Sequence, residues 1–154
     1  MKILLSILFS FLFISTVISQ DFDSAAGIRF GFPLSASYKK FVDDSKAFEV
    51  YAGYRRGFLD VNFINISAAY QIHKDIEEAD RLQWYYGGGV NAYLVESTAV
   101  FGISGYLGLS YTLENTPINA SLDWTPTIFL NGLLGGFGSG FGSLAVRYVL
   151  GSDL

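Results

Sequence analysis

From Leu82 to Leu113 the chain carries a single acid or base, Glu96, and from Asn115 to Val146 only one more, Asp123. The first of these stretches alternates. Leu82, Trp84, Tyr86, Gly88, Val90, Ala92 and Leu94 form one set, and Gln83, Tyr85, Gly87, Gly89, Asn91 and Tyr93 form the other. A β-strand sends successive side chains to opposite faces, so the run has one apolar face and one small or polar face. A barrel whose outer face met water would need charge there, and these strands have almost none. The apolar face is therefore expected to meet lipid and the other to line the interior, which makes the chain a membrane-spanning β-barrel.

The amino-terminal segment has another character. Lys2 precedes an apolar run from Ile3 to Ile14, followed by the small residues Ser15, Thr16 and Ser19. This is the layout of a secretory signal peptide, expected to span residues 1–19 with cleavage before Gln20. The run is shorter than the roughly 18–20 apolar residues of a spanning helix. The chain has no cysteine, which removes lipoprotein acylation, disulfides and thiolate metal sites. Taking 19 residues from 154 leaves 135, one domain over residues 20–154. Half of the chain is hydrophobic, at 51%, with mean hydropathy +0.35. No segment after the leader approaches helical spanning length, so those residues must be spread by alternation. A net charge of −4 without a basic cluster gives nucleic acid no electrostatic footing.

About eight antiparallel strands in up-and-down order are expected. The first runs from Gly27 to Phe32 and continues past Pro33 to Phe41. Lys46–Tyr54 and Asn62–His73 follow, the latter with a bulge near Phe63 that repairs a break in phase. Leu82–Val95 and Val100–Thr112 form the clearest hairpin. Ile118–Thr125 is next; Pro126 then either separates a short strand over Thr127–Leu133 or bulges a single longer one. Gly142–Leu150 is the last. Outward aromatics fall mostly near strand ends, at Tyr54, Tyr70, Trp84, Tyr86, Phe101, Tyr111, Trp124 and Tyr148. These are expected to form the aromatic girdles of a membrane interface.

Several segments together resemble the small outer-membrane β-barrel proteins of Gram-negative bacteria, especially their poorly characterised single-domain members. They are the leader, Trp84-Tyr-Tyr-Gly-Gly-Gly, the hairpin strand Gly102–Tyr111, Pro117–Pro126, and Leu144-Ala-Val-Arg-Tyr148. The resemblance covers nearly the whole mature chain and implies an outer-membrane location, with membrane lipid and the assembly machinery as partners. Such barrels usually end in an aromatic residue that the machinery reads. This chain departs from that pattern, ending Tyr148-Val-Leu-Gly-Ser-Asp-Leu154. The motifs specify architecture and carry no catalytic signature.

An eight-stranded barrel is just wide enough for its side chains to fill it. Arg29, Glu49 and Arg147 fall in the inward phase of their strands, and an ion cluster among them, joined by Asp123, is expected to plug the lumen by pairing buried charges. His73, the single histidine, precedes the acidic segment Asp75, Glu77, Glu78 and Asp80 and is expected to be a solvated loop residue. Those acids lack calcium-loop spacing. No catalytic residue, metal or cofactor is assigned. The expected role is structural or surface interaction. One alternative is an outer-membrane lipid-modifying hydrolase, which needs a serine with a histidine or acid at one rim. Another is a secreted soluble barrel binding a small apolar ligand, which needs the apolar alternation to face inward.

Overall fold

The computed structural model describes residues 23–56, 62–131 and 136–151. The leader expected over residues 1–19 and the last residues, 152–154, lie outside these. Among the described residues every regular element is a strand: β1 (Ser24–Phe30), β2 (Ser35–Phe41), β3 (Lys46–Arg56), β4 (Asn62–Asp75), β5 (Leu82–Val95), β6 (Thr98–Thr112), β7 (Ile118–Trp124), β8 (Thr127–Phe129), β9 (Gly136–Gly138) and β10 (Gly142–Leu150). Each of β1 to β6 pairs antiparallel with the next, β7 pairs with β10, and β10 pairs with β1. The sheet closes on itself as an eight-stranded antiparallel barrel. Closure removes the unpaired edges that an open sheet would present.

β8 and β9 do not add staves. Pro126 supplies no backbone N–H, so the ladder breaks there. The wall resumes because Gly105 N–H donates to the Pro126 carbonyl at 2.9 Å, and β8 then pairs with the upper part of β6. Of the two alternatives at Pro126, the structure combines parts of both: a short strand follows the proline, over Thr127–Phe129, but it prolongs the same stave, and residues 132–133 of the expected Thr127–Leu133 lie outside the described residues. β9 pairs back on β8 as the outer limb of a short extension.

The eighth stave comes from the other end of the chain. Instead of one strand running through Pro33, β1 and β2 are separate strands joined by a turn over residues 31–34 and held in register from Ser24↔Lys40 to Arg29↔Ser35. Proline fits a turn because its missing donor costs no ladder hydrogen bond there. The bulge expected near Phe63 is also absent: Arg55↔Phe63↔Val95 continues the register on both sides. Phe63 keeps the inward phase with Asn65 and Ser67.

Both chain termini of the barrel lie at one end, with the turns over residues 42–45, 76–81 and 113–117. In the first of these turns the Lys46 ammonium and the Ser45 backbone N–H hold the exposed Asp43 carboxyl down at about 2. The other end carries the 31–34 turn, the tight turn at Glu96–Ser97 and the β8–β9 extension.

The two faces separate sharply by polarity. Ile28, Val50, Ile66, Val90, Ile103, Leu107, Leu122, Leu144 and Val146 stand exposed on the outside, while Lys39, Glu49, Gln71, Asn119 and Arg147 are among the most buried residues inside. The apolar alternation faces outward, opposite to the inward arrangement that the soluble ligand-carrier alternative requires. Small residues make room for the packed interior. At Gly108 a Cβ would lie 2.6 Å from both the Leu122 carbonyl oxygen and Tyr85 Cζ. Gly108→Ala is expected to cost about 1–3 kcal/mol by overpacking. Gly105→Ala, whose Cβ would find its nearest neighbour at 3.7 Å, should stay within about 0.5 kcal/mol. Urea unfolding of both variants in detergent checks the contrast; equal losses would contradict it.

Candidate functional site

Inward side chains from seven of the eight staves meet around two carboxylates. Glu49 on β3 accepts from Arg29 at 3.2 Å, Ser37 at 2.8 Å and Gln71 at 2.8 Å, and it pairs with Arg147 and, at 3.6 Å, with Lys39. Asp123 on β7 takes both terminal nitrogens of Arg29, at 3.0 and 2.9 Å, the fork geometry that makes arginine–carboxylate pairs strong. It also accepts from the Tyr85 hydroxyl at 2.6 Å, Ser143 at 2.9 Å and Thr125 at 3.1 Å. Arg147 on β10 donates to Ser37 at 2.9 Å and Ser121 at 2.8 Å. The structure therefore brings Arg29, Glu49, Asp123 and Arg147 together in one network that ties the seam β1–β10 to the far wall. Each of these charges is almost fully buried, so the arrangement holds only because every carboxylate oxygen has donors.

Lys39 is the member that sequence reasoning missed. It lies on β2, its ammonium 3.6 Å from Glu49 and 4.6 Å above the Tyr85 ring. Treating residues 27–41 as one strand hid it, and the Lys39-Lys40 pair gives no phase by itself. The available signal was the polar alternation Ser35, Ser37, Lys39 against Ala36, Tyr38, Lys40. Tyr51, with Arg29 4.5 Å over its ring, and Tyr85 complete the cage as aromatic walls around cations.

Towards the end that bears the termini, the lumen is stacked shut. His73 lies between Phe41, at 4.9 Å, and Tyr85, at 4.7 Å, and its Nδ1 is 3.2 Å from Gln83 Oε1. It is buried, which corrects the expectation of a solvated loop histidine. β4 simply runs two residues further than the acidic sequence suggested, and His73 keeps its inward phase. Its Nε2 has no hydrogen-bond partner among the described residues. No hydroxyl is therefore placed for activation by this ring, as nucleophilic catalysis requires.

Towards the opposite end, Phe32, Phe63, Tyr93, Phe129 and Phe141 form a closed ring with centroids 5.5–6.2 Å apart. Arg55 sits 3.8 Å over Phe32 at the rim. Beneath this collar is a polar layer in which Tyr51 and Tyr106 share a 2.7 Å hydrogen bond and Asn91 accepts from Ser67 and donates to Ser104. The void between collar and layer is about 30 Å³, room for a water molecule and little more.

On the outer wall, Tyr70, Trp84, Tyr86, Tyr111 and Tyr148 lie towards the termini end, and Tyr54 and Phe101 towards the other. Trp124 differs. Because β8 prolongs its stave, Trp124 pairs with Leu107 in the middle of β6 and does not sit at an end. Its indole N–H donates to the Ser139 carbonyl at 2.6 Å. Asp75 accepts from Gln83 at 2.8 Å, and no group of three or more histidine or acidic side chains converges as a metal site among the described residues.

Comparison of the chain with protein-family models, with curated proteins and with solved structures finds no match. Function has to be read from the barrel's own geometry.

Proposed function

We propose that the protein is a small outer-membrane β-barrel with a plugged lumen, acting through its surface in a structural or interaction role. The observation that carries this reading is the inversion of the usual arrangement: apolar side chains clothe the outside while three buried cations are paired with two buried carboxylates inside. Lipid is the solvent in which such an exterior is favourable, and a closed barrel is one of the two architectures that leave no backbone group unsatisfied there. The leader expected over residues 1–19 supports export, and the Lys74 ammonium beside Trp84 and Tyr86 suits a membrane interface. Fractionation with heat-modifiable gel migration tests the location, and planar-bilayer recording tests the plug. The mature chain is expected in the detergent-requiring outer-membrane fraction, without steady conductance. A chain soluble without detergent defeats the membrane reading; a sustained large conductance defeats the plug.

A further inference from the structure

The outer wall is not evenly bulky. Between Trp84 on β5 and the strap Ser139–Gly142 lies an open groove of about 590 Å³, floored by Leu107, Leu109 and Leu122. That size falls within the roughly 300–1,000 Å³ of small-molecule sites. Its walls are set: the hydrogen bond to Ser139 fixes the Trp124 indole, and Trp84 stacks on Tyr86 with centroids 5.4 Å apart. Asp123, the one acid along the groove, turns its carboxylate inward to Arg29. The groove is thus apolar along its length. At the Trp84 end stands a cation: Lys74, exposed and without an ion pair among the described residues, holds its ammonium 5.6 Å from the Trp84 ring and 5.9 Å from that of Tyr86.

We infer that this groove binds one acyl chain of a phospholipid whose phosphate is held by Lys74. The inference rests on the outer-membrane reading and names a specific lipid site within it. An apolar channel with one ammonium beside its Trp84 wall matches a molecule that is hydrocarbon along one arm and anionic at its head. A neutral glyceride would fill the groove but leave the ammonium unused.

The test uses the folded full barrel, first checked for insertion into phosphatidylglycerol vesicles and for heat-modifiable migration. Native mass spectrometry from detergent then follows retention of added phosphatidylglycerol or of diacylglycerol with the same chains. One phosphatidylglycerol is expected per barrel, bound in preference to diacylglycerol. Lys74→Gln should weaken phosphatidylglycerol alone by about fivefold, the worth of one lysine against an anionic lipid surface. Leu122→Trp, which fills the groove from an exposed position, should weaken both lipids. Heat-modifiable migration verifies that each variant is folded. If the barrel inserts but Leu122→Trp binds as well as the parent, or Lys74→Gln keeps the full preference, the lipid site is overturned while the membrane reading stands. Failure to insert overturns both.

Discussion

Glu49→Gln is expected to destabilise the barrel by about 3–5 kcal/mol, the range for removing one partner of a buried ion pair. Glu49 is the residue on which Arg29, Lys39 and Arg147 all meet. Its loss has unequal consequences for the three. Arg29 keeps its two bonds to Asp123, and Arg147 keeps Ser37 and Ser121. Lys39 keeps only the face of Tyr85, leaving an ammonium buried without a counter-charge. Ser37→Ala removes no charge, only a hydroxyl that donates to Glu49 and accepts from Arg147, and should cost about 1.5–3 kcal/mol. Urea titration in micelles, followed by heat-modifiable migration, separates the two. A Glu49→Gln barrel within about 1 kcal/mol of the parent would show that the charges inside are not held by this hub.

Val90→Arg addresses the outside. Val90 stands 60% exposed in the outward row between Ala68 on β4 and Ile103 on β6. Against hydrocarbon an arginine near mid-depth costs about 2–4 kcal/mol. On a water-facing wall the same exchange, at a site that touches little, stays within about 0.5 kcal/mol. Unfolding free energies measured in phosphatidylcholine vesicles decide between these. A near-zero value would argue that the outer face meets water.

How much of this was legible depended on the range of the signal. β5 coincides with the expected Leu82–Val95, and β6 differs from the expected Val100–Thr112 by two residues, because long uninterrupted alternation fixes both phase and limits. The approach of Arg29, Glu49, Asp123 and Arg147 could be anticipated from inward phase and closure alone. What escaped depended on contacts that no local pattern encodes. Pro33 suits a kink within a strand as well as a turn between two, and only the pairing of β1 with β2 decides. Phe63 seemed out of phase because an apolar residue on the inner face looks anomalous until Phe32, Tyr93, Phe129 and Phe141 are brought beside it from distant parts of the chain. His73 looked solvated because the acids after it are; strand β4 ends only at Asp75.

The seam between β1 and β10 carries a consequence for biogenesis. Arg29 finds Asp123 ninety-four positions later, and Glu49 meets Arg147 after ninety-eight. A ribosome that stalled before β10 would release a sheet with two raw margins and a β3 carboxylate short of its Arg147 partner. Such a fragment could not close over its polar lining, so the interior becomes sealed from bulk solvent only once the final stave has joined both margins.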